Sequence, residues 1–229
     1  MMNHGAPDPM ATLAAYGTSA VSDALDLFGV GGHIWGPQRL SGSGMVVGPA
    51  YTVAFEPVPE GSPAAAADYL DEVPAGSVVL LANDGPICTV WGDILSELAV
   101  VRGIAGTVID GLCRDLDGIR ELRYSVWARG AFMRSGKIRV RMTAVQQPVE
   151  VGEAGLRTTV YPGDVVCADG SGAMAVPAAL VVPIAEQVQR IAEMEQHVLA
   201  GIREGMCLRE ARAKHGYNSV PRVSISADQ

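Results

Sequence analysis

Aromatic residues are scarce in this chain: Phe 3, Trp 3 and Tyr 6 make up 5% of 229 residues. A core built from it must therefore rest on Val, Ala, Leu and Ile, for which a 48% apolar fraction and a mean hydropathy of +0.21 give ample material. Positive charge is in deficit. Seventeen Lys and Arg against 25 Asp and Glu leave a net charge of −8 and a pI near 5.0. Such a surface repels phosphate backbones, which argues against a nucleic-acid partner. It also repels small anions at long range, so an enzyme acting on dicarboxylates would need a local cation or a metal to hold them. Lysine is represented by Lys137 and Lys214 alone. The four cysteines, Cys88, Cys113, Cys167 and Cys207, form no CxxC pair and match no zinc spacing. Their apolar settings fit reduced core residues, and with no signal peptide in view the reading is cytoplasmic. No apolar run is long enough to span a bilayer, the longest (173–184) being broken by Pro177 and Pro183. Neither Gly31-Gly32 nor the stretch 41–44 leads into a strong helix, so neither is a phosphate loop.

What is present reads as a mixed α/β fold. Residues 1–12 lack periodicity and read as a tail, with His4 incidental. TSAVSDALDLFG reads as a helix, capped by Thr18 or Ser19 and stopped at Gly29. MVVGPAYTVAFEPV has strand character interrupted at Gly48-Pro49, and the Ala-rich stretch 63–72 suggests a helix. SVVLLAND is a buried strand that ends in a turn over 83–86. Residues 90–102 follow as a helix with Ile94, Leu95, Leu98 and Val101 on one face. GIAGTVID is a strand, LDGIRELR a helix and YSVWARG a strand, the alternation of a parallel sheet with crossover helices. KIRVRMTAV then alternates like a half-exposed antiparallel strand, and short strands follow up to Pro177. Residues 183–204 read as a long helix and 207–214 as a short one. The chain thus divides into a tail (1–12), an α/β domain (13–182) and a C-terminal helical arm and tail (183–229). The arm's apolar stripe packs either on its own domain or on a neighbouring subunit.

The chemistry concentrates between Trp91 and Gly130. Gly92, Asp93, Ile94 and Leu95 open a helix, whose first N–H groups lack intrahelical partners and can hold a carboxylate. The strand GTVID leads into Gly111-Leu112-Cys113-Arg114-Asp115. Both segments follow strands of a parallel sheet, and ligands gather at the carboxyl ends of such strands. Asp115 offers a hard oxygen for Mg²⁺ or Mn²⁺. Arg114 can fork onto a carboxylate or an enolate oxygen. Asp93 can hold a metal-bound water or carry a proton. Plainer roles compete: an Asp at a helix start is often a cap, and an adjacent Arg-Asp pair is often a surface ion pair. Lys137 reads as part of a solvated face with Arg139 and Arg141, or else as a contact for a substrate's distal carboxylate. His33, His197 and His215 read as structural or surface residues.

Asp93, then twenty residues, then Arg114-Asp115 resembles the D-x20-R-D signature of the RraA-like group of 4-hydroxy-4-methyl-2-oxoglutarate aldolases and oxaloacetate decarboxylases. The flanks are similar too: TSAVSDAL near the start, IDGLCRD, VWARG, and YPGDVVCADGSGAMAVP downstream. The resemblance covers roughly 18–200. It implies a β/β/α swivelling-domain fold assembled as a homotrimer or homohexamer. It implies that Gly92, Asp93, Ile94, Leu95 and Arg114 hold the substrate, that Asp93 and Arg114 serve catalysis, and that Asp115 holds the metal. It further implies a glutamate from a neighbouring subunit's C-terminal helix, for which Glu186, Glu193 and Glu195 lie on the matching segment. GAFMRSGKIRVRM lacks the family's usual proline, and PVEVGEAGLRTTVYPGD is longer than its counterpart, which bears on substrate identity. The implied reaction cleaves a small 2-oxo acid to pyruvate through a metal-stabilised enolate, with no Schiff-base lysine. Founding members of the family regulate a ribonuclease by protein contact, which is the alternative expectation. A methyltransferase would need a glycine-rich cofactor loop that is not evident.

Overall fold

A computed structural model of the chain describes residues 8–59, 61–62, 68–83, 85 and 87–217. It opens with helix α1 (Pro9–Phe28), strands β1 (His33–Ile34), β2 (Gln38–Ser41) and β3 (Val46–Pro57), and a 3-10 turn at Asp68–Glu72. The middle holds β4 (Val78–Ala82), β5 (Thr89–Trp91), α2 (Asp93–Val101), β6 (Gly106–Cys113), α3 (Leu116–Glu121) and β7 (Val126–Ala131). There follow β8 (Val140–Val145), β9 (Val149–Val151), β10 (Thr158–Val160), β11 (Val165–Ala168), β12 (Ala173–Val176), α4 (Val181–Arg203) and α5 (Leu208–Lys214).

One curled sheet of ten strands runs β1-β12-β11-β3-β4-β6-β7-β2, with β5 added beside β6 and β8 beside β3. The neighbours β3, β4, β6 and β7 are parallel, while β11, β12, β1, β2 and β8 pair antiparallel. This is the mixed α/β architecture expected. β4 and β6 are nearly continuous apolar runs because both of their faces are covered. Val79, Leu81 and Ile109 pack toward α2 and α3 with Ile119 and Tyr124. Leu80, Val108 and Trp127 pack on the opposite face with Val149, Val151 and Val160 of the β9–β10 hairpin. A third cluster joins α1 and α4 to β11 and β12 through Leu25, Val21, Ile184, Val188 and Cys167. The C-terminal arm thus lays the apolar face of α4 on its own domain, while Leu199 and Ile202 near its end stay exposed.

Several local expectations change. The first helix begins at Pro9, so 9–12 is not a tail; Asp8 caps it, accepting the Met10 N–H at 3.1 Å, and proline suits a first helical position. Gly17 breaks this helix with φ 84° and ψ 164°, and Thr18 starts a second segment. Thr18 donates from its N–H (2.9 Å) and its hydroxyl (2.7 Å) to Asp169. Strand β3 runs unbroken through Gly48 and Pro49, because β11 pairs beside both. The helix expected from residue 90 starts at Asp93, and Thr89–Trp91 is a strand. Finally, α2 buries Ser96 and Ala99 rather than Ile94 and Val101, which are 76% and 75% exposed. Asp68–Glu72 forms a 3-10 turn rather than a helix, and 63–67, Asp84, Pro86, His4 and the end of the chain from 218 lie outside the described residues.

Candidate active site

β5 and β6 lie side by side with Trp91 opposite Cys113, and the Arg114 N–H donates to the Trp91 carbonyl at 3.1 Å. This draws the end of β6 against Gly92, the residue that caps α2. Ser96 folds that turn. Its N–H (3.1 Å) and its hydroxyl (2.9 Å) both donate to the Gly92 carbonyl, and the Trp91 indole N–H donates to Ser96 Oγ at 2.8 Å. Trp91 is itself stacked on Tyr124, ring centroids 6.2 Å apart. The turn therefore rests on a rigid, buried aromatic base.

Gly92 has an extended backbone (φ −163°), so conformation alone would admit any residue. Space does not. A Cβ there would lie 2.6 Å from Asp115 Oδ2 and 3.3 Å from Arg114 Cγ and Nε. Arg114 Nε and Asp115 Oδ2 are 3.0 Å apart, each side chain about one third exposed. Asp115 sits in the left-handed region (φ 57°, ψ 38°), a conformation that costs an L-residue roughly 1–2 kcal/mol. Although it precedes α3, its carboxylate makes no capping hydrogen bond and turns to Arg114 instead. Its second oxygen has no partner among the described residues.

Asp93, the first residue of α2, accepts the Ile94 N–H on its Oδ1 at 2.8 Å, and its Cβ lies over Gly118 of α3. The Ile94 amide is thus engaged by its own neighbour. The amides of Asp93 and Leu95 have no acceptor among the described residues. Gly92, Asp93, Ile94, Leu95 and Arg114 together line a cleft of about 330 Å³. Asp115 is not on its lining but touches Arg114 and the Gly92 position, which are.

Sequence reasoning held Lys137 only as the alternative to a solvated face, and it missed other parts of the lining. The loop after β7 is tied to β5 by Thr89 N–H to the Arg134 carbonyl and Gly136 N–H to the Thr89 carbonyl, both 2.9 Å. This puts Ser135 and Lys137 on the cleft. Lys137 is thus separated from Arg139, which donates to the Ser135 carbonyl, and from Arg141, which pairs with Glu56. Phe55 and Asp68 complete the new part of the lining. Nothing in the sequence marks Asp68, since it arrives from a distant turn.

Other candidates lie elsewhere. Burial pushes the Cys113 thiol up to about 12, which suits a core residue. Glu186 faces Arg190 at 4.0 Å, Glu193 accepts from Gln189 at 2.9 Å, and Glu195 lines a groove with Asp23 and Asp26. None of the three lines the cleft of its own chain. His33 bonds Ser22 at 2.8 Å, and His197 stacks on His215. Among the described residues, no three His, Cys, Asp or Glu side chains gather as a metal cage. Nor is any helix among them long and apolar enough to cross a membrane.

The family model described as Aldolase/RraA matches residues 18–175, a span that holds the whole Gly92–Arg114–Asp115 arrangement. The chain belongs to the RraA-like family. Among RraA-like relatives, Protein DlpA of Legionella pneumophila is 34% identical over 92% of this chain. The chain spans about a third (34%) of that protein's length. A Halalkalibacterium halodurans protein is 30% identical over 70% of this chain and 72% of its own; its name, 4-hydroxy-4-methyl-2-oxoglutarate aldolase, is itself provisional. Of solved structures, an uncharacterized Pseudomonas syringae protein superposes with a TM-score of 0.82 at 36% identity, covering 90% of this chain and 98% of that one. Streptomyces coelicolor RraAS2, titled an unusual member of the RNase ES inhibitor RraA family, gives 0.73 at 28% identity, covering 86% and 98%.

Proposed function

We propose that this chain is a metal-assisted carbon–carbon lyase that releases pyruvate from 4-hydroxy-2-oxo acids of the 4-hydroxy-4-methyl-2-oxoglutarate type, from oxaloacetate, or from both. One observation carries the reading: a guanidinium and open helix-end amides line one cleft, and a partly free carboxylate touches that guanidinium beside Gly92. The name of the Halalkalibacterium relative supports the reaction class. The cleft's volume suits a small dicarboxylate.

The donor set fits a hard divalent cation, Mg²⁺ or Mn²⁺. Asp115 has one oxygen left over, and such ions bind through one or two carboxylates while keeping waters and substrate oxygens. When bound, the ion supplies Lewis-acid polarisation of the 2-oxo group. The chain's own groups account for the remainder. The amides of Asp93 and Leu95, at the positive end of α2, receive the C1 carboxylate. Arg114 donates to the C2 oxygen, on which negative charge gathers as the C3–C4 bond breaks. Lys137 meets a distal carboxylate. The oxygen of Asp93 not bound to Ile94 holds the water that returns a proton to C3. The same proposal includes a cytoplasmic homotrimer or homohexamer in which Glu186, Glu193 or Glu195 completes a neighbour's site; light scattering against the 23.9 kDa monomer tests the assembly.

The test is a coupled pyruvate assay on oxaloacetate and 4-hydroxy-2-oxo acids, with Mg²⁺ or Mn²⁺ and with chelator. Pyruvate release that depends on the metal is expected. Release no faster than buffer on every substrate overturns the reading.

A second reading is a regulator of ribonuclease activity acting by contact. Exposed apolar side chains lie within two residues of the lining in sequence, Ile87, Met133 and Ile138 among them, and the Streptomyces relative's title supports it. Capture of an RNA-processing complex by a chain without lyase activity would favour that reading.

A further inference from the structure

The cleft lining carries two carboxylates, and they differ in how they are engaged. Asp93 is committed in part to its own helix, with Oδ1 on the Ile94 N–H. Asp68 is exposed and has no hydrogen-bond or ion-pair partner among the described residues. Its backbone is held from one side. The next two residues, Tyr69 and Leu70, are buried in the core, and the Tyr69 ring stands edge-on to Phe55, another lining residue, at 6.5 Å. Among the described residues no histidine lines the cleft, and the Lys137 ammonium has no lone pair with which to accept a proton.

We propose that Asp68 is the base that removes the C4 hydroxyl proton in retro-aldol cleavage, an inference that rests on the lyase reading above. The step balances. The hydroxyl proton passes to the Asp68 carboxylate, and the O–H electron pair becomes the new C4 carbonyl bond. The C3–C4 bonding pair moves to C3 and is delocalised onto the C2 oxygen beside Arg114 as the enolate. One proton is then delivered to C3 and Asp68 gives its own up, leaving pyruvate and a carbonyl fragment. Oxaloacetate has no C4 hydroxyl. Its distal carboxylate leaves as carbon dioxide and the same enolate forms, so Asp68 has no proton to take.

The two reactions on one site therefore supply the test. Asp68→Asn is nearly isosteric at an exposed position, and its melting temperature serves as the check on folding. Loss of a general base is worth about 10²–10⁴-fold, so retro-aldol kcat should fall by about 100-fold or more. Oxaloacetate decarboxylation should fall by less than about fivefold, the size of a change in binding alone. Equal losses in both reactions, or no loss in either, overturn the assignment. A wild-type chain that releases pyruvate from neither substrate instead removes the lyase reading itself. The two failures are therefore distinguishable.

Discussion

Substituting Gly92 by Ala probes the proposed site with one methyl group. Its backbone is extended, so alanine brings no dihedral strain and slightly restricts the unfolded chain, a gain of about 0.4–1 kcal/mol. Against this, the new Cβ would stand 2.6 Å from Asp115 Oδ2, where ordinary contact begins at 3.4 Å. The carboxylate must retreat by 3.4 − 2.6, about 0.8 Å, and Arg114 must give a little as well. Both side chains are partly exposed and the closest atom is a carboxylate end, so the fold should absorb the shift, with a melting temperature within about 4 °C of wild type. Catalysis should not absorb it. A displacement near 1 Å costs about 100-fold, equivalent to roughly 2.7 kcal/mol of barrier. The assay couples pyruvate to NADH oxidation through lactate dehydrogenase, at saturating Mg²⁺, beside a thermal melt. Metal-dependent kcat/KM within about threefold of wild type would show that the close approach of Asp115 and Arg114 to residue 92 is irrelevant to the reaction. A melting temperature lowered by more than about 10 °C would show that the backbone, not the two side chains, takes up the clash.

Asp115→Asn keeps a residue that tolerates the left-handed backbone and removes the charge; Mg²⁺-stimulated pyruvate release should drop to the chelator level. The fold should lose little, because an ion pair this exposed is worth about 1 kcal/mol or less, and retained stimulation would exclude Asp115 as the ligand. Burial pushes the Asp169 carboxyl up, but hydrogen bonds from Thr18 and Ser171 together with the Arg39 charge more than offset it and hold the group below its ordinary 3.8. A value lowered by folding adds stability above the unfolded value, and that stability is lost as pH falls through the folded one. The unfolding free-energy difference between wild type and Asp169→Asn, from urea titrations, should be full near about pH 6 and shrink below about pH 4; a difference independent of pH would refute this. Cys88, Cys113 and Cys167 are buried, and burial pushes the Cys113 and Cys167 thiols up to about 12, whereas Cys207 is exposed. A thiol reagent should meet one fast-reacting cysteine in the native chain and all four in denaturant, and two or more fast thiols would contradict the packing.

β4 and β6 were legible because strands covered on both faces must be apolar throughout, and the segments that open at Gly92 and end at Arg114-Asp115 were legible as neighbours because both follow parallel strands. The buried face of α2 was not legible. Its periodicity favours Ile94 and Val101, but the register is set by Ser96, whose hydroxyl is satisfied by Trp91 and Gly92 and so can be buried. Lys137 looked continuous with Arg139 and Arg141 because the alternation runs on in sequence, yet the strand begins at Val140. Asp68 reaches the cleft through tertiary packing of Tyr69 and Leu70, which no local pattern records. The early start of α1 was legible after all, since Asp8 followed by Pro9 is a helix-start signal.

The break at Gly17 gives the amino-terminal helix two independent halves. Because the turn between β11 and β12 anchors Thr18 through Asp169, the rotational phase of the second half is set by the sheet and not inherited from the turns before it. Leu13 nonetheless enters the same core as Val21 and Leu25, so residues added or removed just ahead of Gly17 would pull Leu13 from that core while Thr18 stayed tied to the sheet. The junction thus lets one core be filled from two helical segments whose directions are set separately.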